Sequence, residues 1–129
     1  ALGQISHLNV FGNDWDTLDG TGVRDYIHVM DLAEGHVKAL EYLFENDSLI
    51  MDLNLGTGKG TSVLELINVF KRVNDVKVPT IFADRRKGDF ACVVADNKKA
   101  KKILNWLPNR NLEEMCRDGW LWHSKKSNS

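Results

Sequence analysis

The sequence predicts an α/β fold in which short strands pack with about four helices, and three observations carry that expectation. Short β-prone runs alternate with amphipathic helical patterns, the helical patterns open at side-chain capping signals, and the connections are short loops rich in glycine or charge.

The elements follow in order. Leu8, Val10 and Phe11 form a strand-like run ended by Gly12-Asn13-Asp14, and a polar loop from Asp16 to Gly20 leads into the segment Gly22 to Ala33. Within it Tyr26, Ile27 and Val29 read as a short strand that contains His28, with Arg24 at its mouth in position to meet an anion. Asp31 with Glu34 reads as a capping box, followed by an apolar stripe of Ala33, Val37, Leu40 and Phe44. The second unit repeats this logic. Met51 to Leu55 looks like a strand, Gly56-Thr57-Gly58-Lys59-Gly60 a tight loop, and Ser62 to Val73 a helix, with Ser62 and Glu65 as a capping box and Val63, Leu66, Ile67 and Phe70 on one face. A further strand, Thr80 to Ala83, meets the charged loop Asp84 to Asp89. Asp96 can cap a helix from Asn97 to Leu104. Asn111 with Glu114 opens a last helix through His123, with Leu112, Met115 and Cys116 on one side, which Gly119 weakens by roughly 1 kcal/mol relative to alanine.

Composition narrows the function classes. The 129 residues, 43% apolar and 27% charged, suit one globular domain spanning 1–129 rather than a disordered or fibrous chain. No apolar run approaches the roughly 18 residues that cross a membrane, and a cytoplasmic location is expected. A net charge of −1 gives no reason to expect nucleic acid, and the basic run at Lys98, Lys99, Lys101 and Lys102 reads as a solvated helix face. Cys92 and Cys116 lack metal-ligand spacing and read as a reduced pair, and no metal site is expected.

Catalytic signals are scarce. The loop Gly56 to Gly60 invites a dinucleotide-binding reading, but the glycine spacing fails because Thr61 and Val63 stand where a third glycine belongs. The phosphate-loop pattern fails too, since Gly60 follows Lys59, so a structural turn is favoured. Met30 and Asn46 stand four residues after the two tyrosines, so there is no Tyr-x-x-x-Lys pair, and His28 and His36 read as hydrogen-bonded structural residues. No catalytic residue is assigned. Anion contacts remain: Arg24 precedes one strand, Arg85 and Arg86 follow another, and Asp89 comes three positions after Arg86. Separated guanidinium groups can grip a diphosphate, and a carboxylate suits vicinal ribose hydroxyls.

The runs Asp19 to Ala33, Asn54 to Glu65, Arg85-Arg86-Lys87-Gly88-Asp89 and Trp120-Leu121-Trp122 together resemble the C-terminal part of the UDP-glucose 4-epimerases, over about Leu8 to Lys125. Arg24-Asp25-Tyr26 to Asp31 is shared more widely across the extended short-chain dehydrogenase/reductase superfamily. Phe11-Gly12-Asn13-Asp14 and the Trp-x-Trp end favour the epimerase branch. The resemblance implies an enzyme in which bound NAD takes a hydride from C4 of a UDP-hexose and returns it to the opposite face. It implies that Asn9, Val10 and Phe11 meet the uracil, that Arg24 and Arg86 clamp the diphosphate, and that Asp89, on a loop shaped by Lys87 and Gly88, meets the ribose. Val93 stands where the family places a residue limiting sugar size, often Tyr, which implies tolerance of a 2-acetamido group. The family's Rossmann domain is absent from these residues, so the stretch by itself is expected to be inactive and monomeric, to hold no NAD tightly and to bind UDP weakly, whereas the full-length enzyme is a homodimer. Two other readings stay open: a related nucleotide-sugar dehydratase or decarboxylase, and a free-standing UDP-binding module.

Overall fold

A computed structural model describes residues 1–46 and 50–127. It is α/β, with five short strands and four helices among those residues: β1 (Leu8–Phe11), β2 (Val23–Arg24), α1 (Val29–Glu45), β3 (Thr61–Ser62), α2 (Val63–Asn74), β4 (Thr80–Ala83), β5 (Cys92–Val93), α3 (Lys98–Leu104) and α4 (Leu112–Ser127). Strands β1 and β4 pair in parallel, with Leu8 opposite Thr80 and Phe11 opposite Ala83. In a second sheet β2 lies between β3, antiparallel, and β5, parallel, so that Arg24 sits opposite Thr61 on one side and Val93 on the other. No described helix is long and apolar enough to cross a membrane.

The two helix starts with the strongest local signals form as their residues dictate. Ser62 caps α2 by accepting the Glu65 N–H at 3.0 Å. At α4 the box is reciprocal: Asn111 Oδ1 accepts from the Glu114 N–H at 3.0 Å, and Glu114 Oε2 accepts from the Asn111 N–H at 2.7 Å. Helix α4 runs one turn beyond His123, across Gly119. These two helices pack together, with the Phe70 and Trp120 rings edge to face at 5.9 Å and an Arg72–Glu113 ion pair at 2.8 Å. At α3 the capping residue is Asn97 rather than Asp96, whose carboxylate accepts the Lys98 N–H from one position further out. The four lysines of α3 face solvent while Ala100 and Leu104 are buried. Cys92 is exposed, Cys116 is buried, and both are free thiols.

Three expectations are corrected around α1. The strand expected at Tyr26, Ile27 and Val29 does not form: the ladder of β2 holds Val23 and Arg24 and ends before Tyr26, and His28 caps α1 through Nδ1, which accepts the Met30 N–H at 3.1 Å, so helical geometry begins at Val29. The expected capping box also fails: Asp31 lies inside the first turn, fully buried, where it accepts the Arg110 backbone N–H at 3.0 Å and the Arg110 guanidinium, which reaches on to Glu34 at 2.8 Å. A carboxylate held by a distant arginine is not free to reach back to its own helix terminus. The stripe Ala33, Val37, Leu40 and Phe44 faces outward, with Phe44 85% exposed. Helix α1 instead turns Asp31 and Gly35 inward, and Gly35 packs so closely that a Cβ there would stand 3.1 Å from both Leu55 and Trp106. Periodicity shows that a helix has an apolar face; it does not show what that face touches.

Met51 to Leu55 likewise forms no ladder. Met51, Leu53 and Leu55 alternate inward with outward-facing Asp52 and Asn54, as a strand would, and they pack on the core of Ala100, Leu104 and Trp106. No described neighbour lies alongside to complete the hydrogen bonds that define a strand.

Candidate functional site

The candidate residues lie on β1, β2 and β5 and on the loop Asp84 to Phe90 that follows β4. In β1, Leu8 donates to the Pro79 carbonyl and Gly12 to the Ala83 carbonyl, both at 2.8 Å. Backbone polarity alternates along a strand, so Asn9 and Phe11 turn their peptide groups to the edge away from β4, where the Phe11 carbonyl accepts from the Trp15 indole N–H at 3.4 Å. Val10 is 1% exposed and anchors the strand to the interior. Phe11 is on the surface, and the Arg86 guanidinium carbon lies 4.8 Å above its ring centroid.

The loop after β4 is held at both ends. Arg85 donates through Nε to Asp14 at 2.7 Å and lies 3.9 Å over the Trp15 ring, fixing the loop to the turn after β1. Arg86, Lys87, Gly88 and Asp89 make a turn closed by the Asp89 N–H on the Arg86 carbonyl at 3.2 Å, and Gly88 at its third position has φ 90°, a region only glycine occupies freely. That turn brings Arg86 Nε to Asp89 Oδ2 at 2.9 Å and Nη2 to Oδ1 at 3.3 Å. Lys87 projects into solvent.

Arg24 is tied to the same loop. Its Nη1 donates to the Val23 carbonyl at 2.8 Å and to the Phe90 carbonyl at 2.9 Å; among the described residues its bonds run through Nη1 alone, leaving Nη2 and Nε open. Val93, opposite Arg24 on β5, is 49% exposed and lines one cleft with it, together with Asn54, Leu55 and Gly56. Phe11, Arg86 and Asp89 are linked by direct contacts and Arg24 and Val93 by the β2–β5 ladder; the two groups are joined through the Phe90 carbonyl that Arg24 holds, while Val10 stays behind the surface.

The glycine loop Gly56 to Gly60 is a structural turn around an internal anion. The Asp25 carboxylate accepts from the Thr57 N–H at 2.9 Å, the Thr57 hydroxyl at 2.5 Å, the Gly58 N–H at 2.9 Å and the Ala95 N–H at 3.2 Å. Burial pushes the Asp25 carboxyl up, but these donors outweigh it and hold it below the usual carboxylate value. Asp19 shows the same balance, with burial opposed by Ser62 and Thr21 donors. The sequence assigns no role to Asp25 or Trp15, and Arg85, expected among the anion contacts, is instead engaged by Asp14 and Trp15. The pointer to Asp25 was a glycine turn that failed every phosphate-binding pattern, so that its N–H groups had to be satisfied from within the chain. His28 is structural: it is 3% exposed, and its Nε2 lies 3.1 Å from Asp118.

These carboxylates set an acid limit. Because the folded values lie below the unfolded one, the unfolded chain takes up protons first; the stabilisation is complete above the unfolded value near 3.8 and is lost as pH falls through the folded values. The melting temperature is therefore expected to fall on acidification below about pH 4. In Asp25→Asn that acid-dependent drop should be smaller, as followed by thermal unfolding across a pH series; an unchanged drop would remove Asp25 from the account.

Known proteins match the sequence and the fold of this chain. The family model described as GDP-mannose 4,6 dehydratase matches residues 1–119. The UDP-glucose 4-epimerase of Bacillus subtilis (strain 168) is 56% identical over 128 residues, which cover 99% of this chain and 38% of that protein. The UDP-glucose 4-epimerase of Pasteurella multocida (strain Pm70) is 51% identical, covering 97% of this chain and 37% of that protein. Among solved structures, a UDP-glucose-4-epimerase from Stenotrophomonas maltophila with bound NAD and formylated UDP-arabinopyranose superposes with a TM-score of 0.92 at 46% identity, over 98% of this chain and 37% of that one. A UDP-glucose 4-epimerase from Bifidobacterium longum in complex with NAD+ and UDP gives 0.91 at 40% identity, over 98% and 37%. The chain thus spans little more than a third of the length of these relatives.

Proposed function

This chain belongs to the GDP-mannose 4,6 dehydratase family, and from that membership we propose that it is the UDP-sugar-binding portion of a UDP-glucose 4-epimerase, an isomerase of galactose metabolism acting in the cytoplasm. The observation that carries the proposal is that Arg24, which lines one cleft with Val93, is tied through the Phe90 carbonyl to the loop on which Arg86 contacts both Phe11 and Asp89. The names of the relatives support the choice of nucleotide sugar.

In this reading Asn9 and Phe11 meet the uracil at the edge of β1 away from β4, with Val10 holding that strand in place. Arg24 and Arg86 grip the diphosphate, and Asp89 accepts from the ribose on the turn that Lys87 and Gly88 shape. Arg86 already shares both oxygens of Asp89, so the diphosphate and the ribose meet a pair whose charges are partly balanced. Anchorage of UDP lets the hexose turn over while its nucleotide stays put. The glycine loop does not fit the pyrophosphate of a dinucleotide, since the Thr57 and Gly58 N–H groups are taken up by Asp25. Hydride transfer with NAD is accordingly assigned to the remainder of the full-length homodimeric enzyme. The outward apolar face of α1 supports that division, because such a face suits cover by more protein.

The full gene product should convert UDP-galactose to UDP-glucose, read by coupling to a UDP-glucose dehydrogenase, while the 129-residue chain alone gives no turnover. Binding of UDP without conversion would favour a free-standing binding module, and a 4-keto-6-deoxy product a dehydratase. Val93, small and half exposed, should leave room for a 2-acetamido group. Val93→Tyr is expected to lower kcat/KM for UDP-N-acetylglucosamine relative to UDP-galactose by roughly tenfold; a wild-type enzyme that does not turn over the N-acetyl sugar would end the idea.

A further inference from the structure

We propose that Asp25 is a positioning residue for the nucleotide clamp, holding the Arg24 end of β2 and the Val93 end of β5 at a fixed separation through one shared carboxylate; this rests on the UDP-binding reading above. The side chain adjoining Arg24 accepts from Ala95, two residues beyond Val93, and from Thr57 and Gly58 of the glycine loop. Three segments far apart in sequence thus meet on two oxygen atoms. Strands β2 and β5 are two residues long each, so their ladder alone is too short to fix where Arg24 and Val93 point.

The fit around the carboxylate is close. A Cβ at Gly56 would stand 2.5 Å from the Ala95 methyl and 2.7 Å from Asp25 Oδ2, so the loop can wrap the carboxylate only with glycine there. Asp25, Gly56, Val93 and Ala95 line the same cleft as Arg24. With the carboxylate in place, Arg24 Nη1 reaches the Phe90 carbonyl at 2.9 Å and the rest of the guanidinium is left open. Four donors on one carboxylate make a rigid junction. A rigid junction keeps a guanidinium aimed at an anion without ordering it again at each binding event.

The test compares UDP affinity by calorimetry and melting temperature in the full gene product. Asp25→Asn should weaken UDP roughly tenfold, because Asn offers one acceptor oxygen where Asp offers two. Asp31→Asn serves as the control: it disturbs a buried carboxylate that belongs to α1 and Arg110, and it should lower the melting temperature while leaving UDP affinity near wild type. Thr57→Val, which loses one donor to Asp25, should weaken UDP in the same direction, and Thr57→Ser should restore it; this pair decides the matter if Asp25→Asn does not fold. Equal UDP affinity in Asp25→Asn and wild type, or equal losses in Asp25→Asn and Asp31→Asn, overturns the positioning role. Unchanged UDP affinity in Arg24→Ala instead overturns the UDP-binding reading on which the role rests.

Discussion

Replacing Trp106 with alanine is expected to remove about 3–5 kcal/mol of folding stability. Trp106 is 5% exposed at the centre of the core where α3, α1 and the Met51 to Leu55 segment converge, and no other core residue there fills comparable volume. Gly35 of α1 packs against its ring, so truncation opens a cavity that the helices cannot close without shifting. Trp106→Phe separates packing from polarity. The buried indole N–H has no hydrogen-bond partner among the described residues, so phenylalanine removes an unpaired donor while keeping most of the ring, and its cost should be well under half that of alanine. Urea unfolding followed by far-ultraviolet circular dichroism measures both. Equal losses in the two variants would mean that the N–H is bonded, or that the ring's full volume is needed.

Arg24→Ala is expected to weaken UDP by roughly a hundredfold in the full gene product, as the loss of a charge-assisted, two-pronged contact to a diphosphate implies. Uridine, which lacks the diphosphate, should bind the variant and the wild type alike. That contrast excludes a general loss of structure. Since Arg24 also donates to the Phe90 carbonyl, Arg24→Lys should restore the charge but not the fork that reaches both Phe90 and the ligand, giving intermediate affinity. UDP affinity within about twofold of wild type in Arg24→Ala would remove Arg24 from the clamp.

How much of the site could be read in advance depended on how local its causes are. Arg24, Arg86, Asp89 and Val93 stood out because they sit at strand ends and in a charged loop, or because a recognisable motif placed them. The role of Asp25 did not, because its partners lie 32, 33 and 70 residues away, and Arg85 stood out as an anion contact while its actual partner, Asp14, lies 71 residues away. The direct Arg86–Asp89 pair is a middle case: the spacing was visible, but that the two residues bond to each other depends on the turn set by Gly88.

The same division runs through the fold. The starts of α2 and α4, the strand character of β1 and β4, and the exposure of the α3 lysines were determined by the sequence itself, because caps, β-branched runs and charge act within a few residues. The end of β2, the inward face of α1 and the unpaired state of Met51 to Leu55 were decided only in the tertiary structure. An Asp31 claimed by Arg110, a Gly35 pressed against Trp106 and a segment with no neighbouring ladder are long-range facts. Periodicity records which residues share a face, whereas the burial of that face is settled by whatever the rest of the chain brings against it.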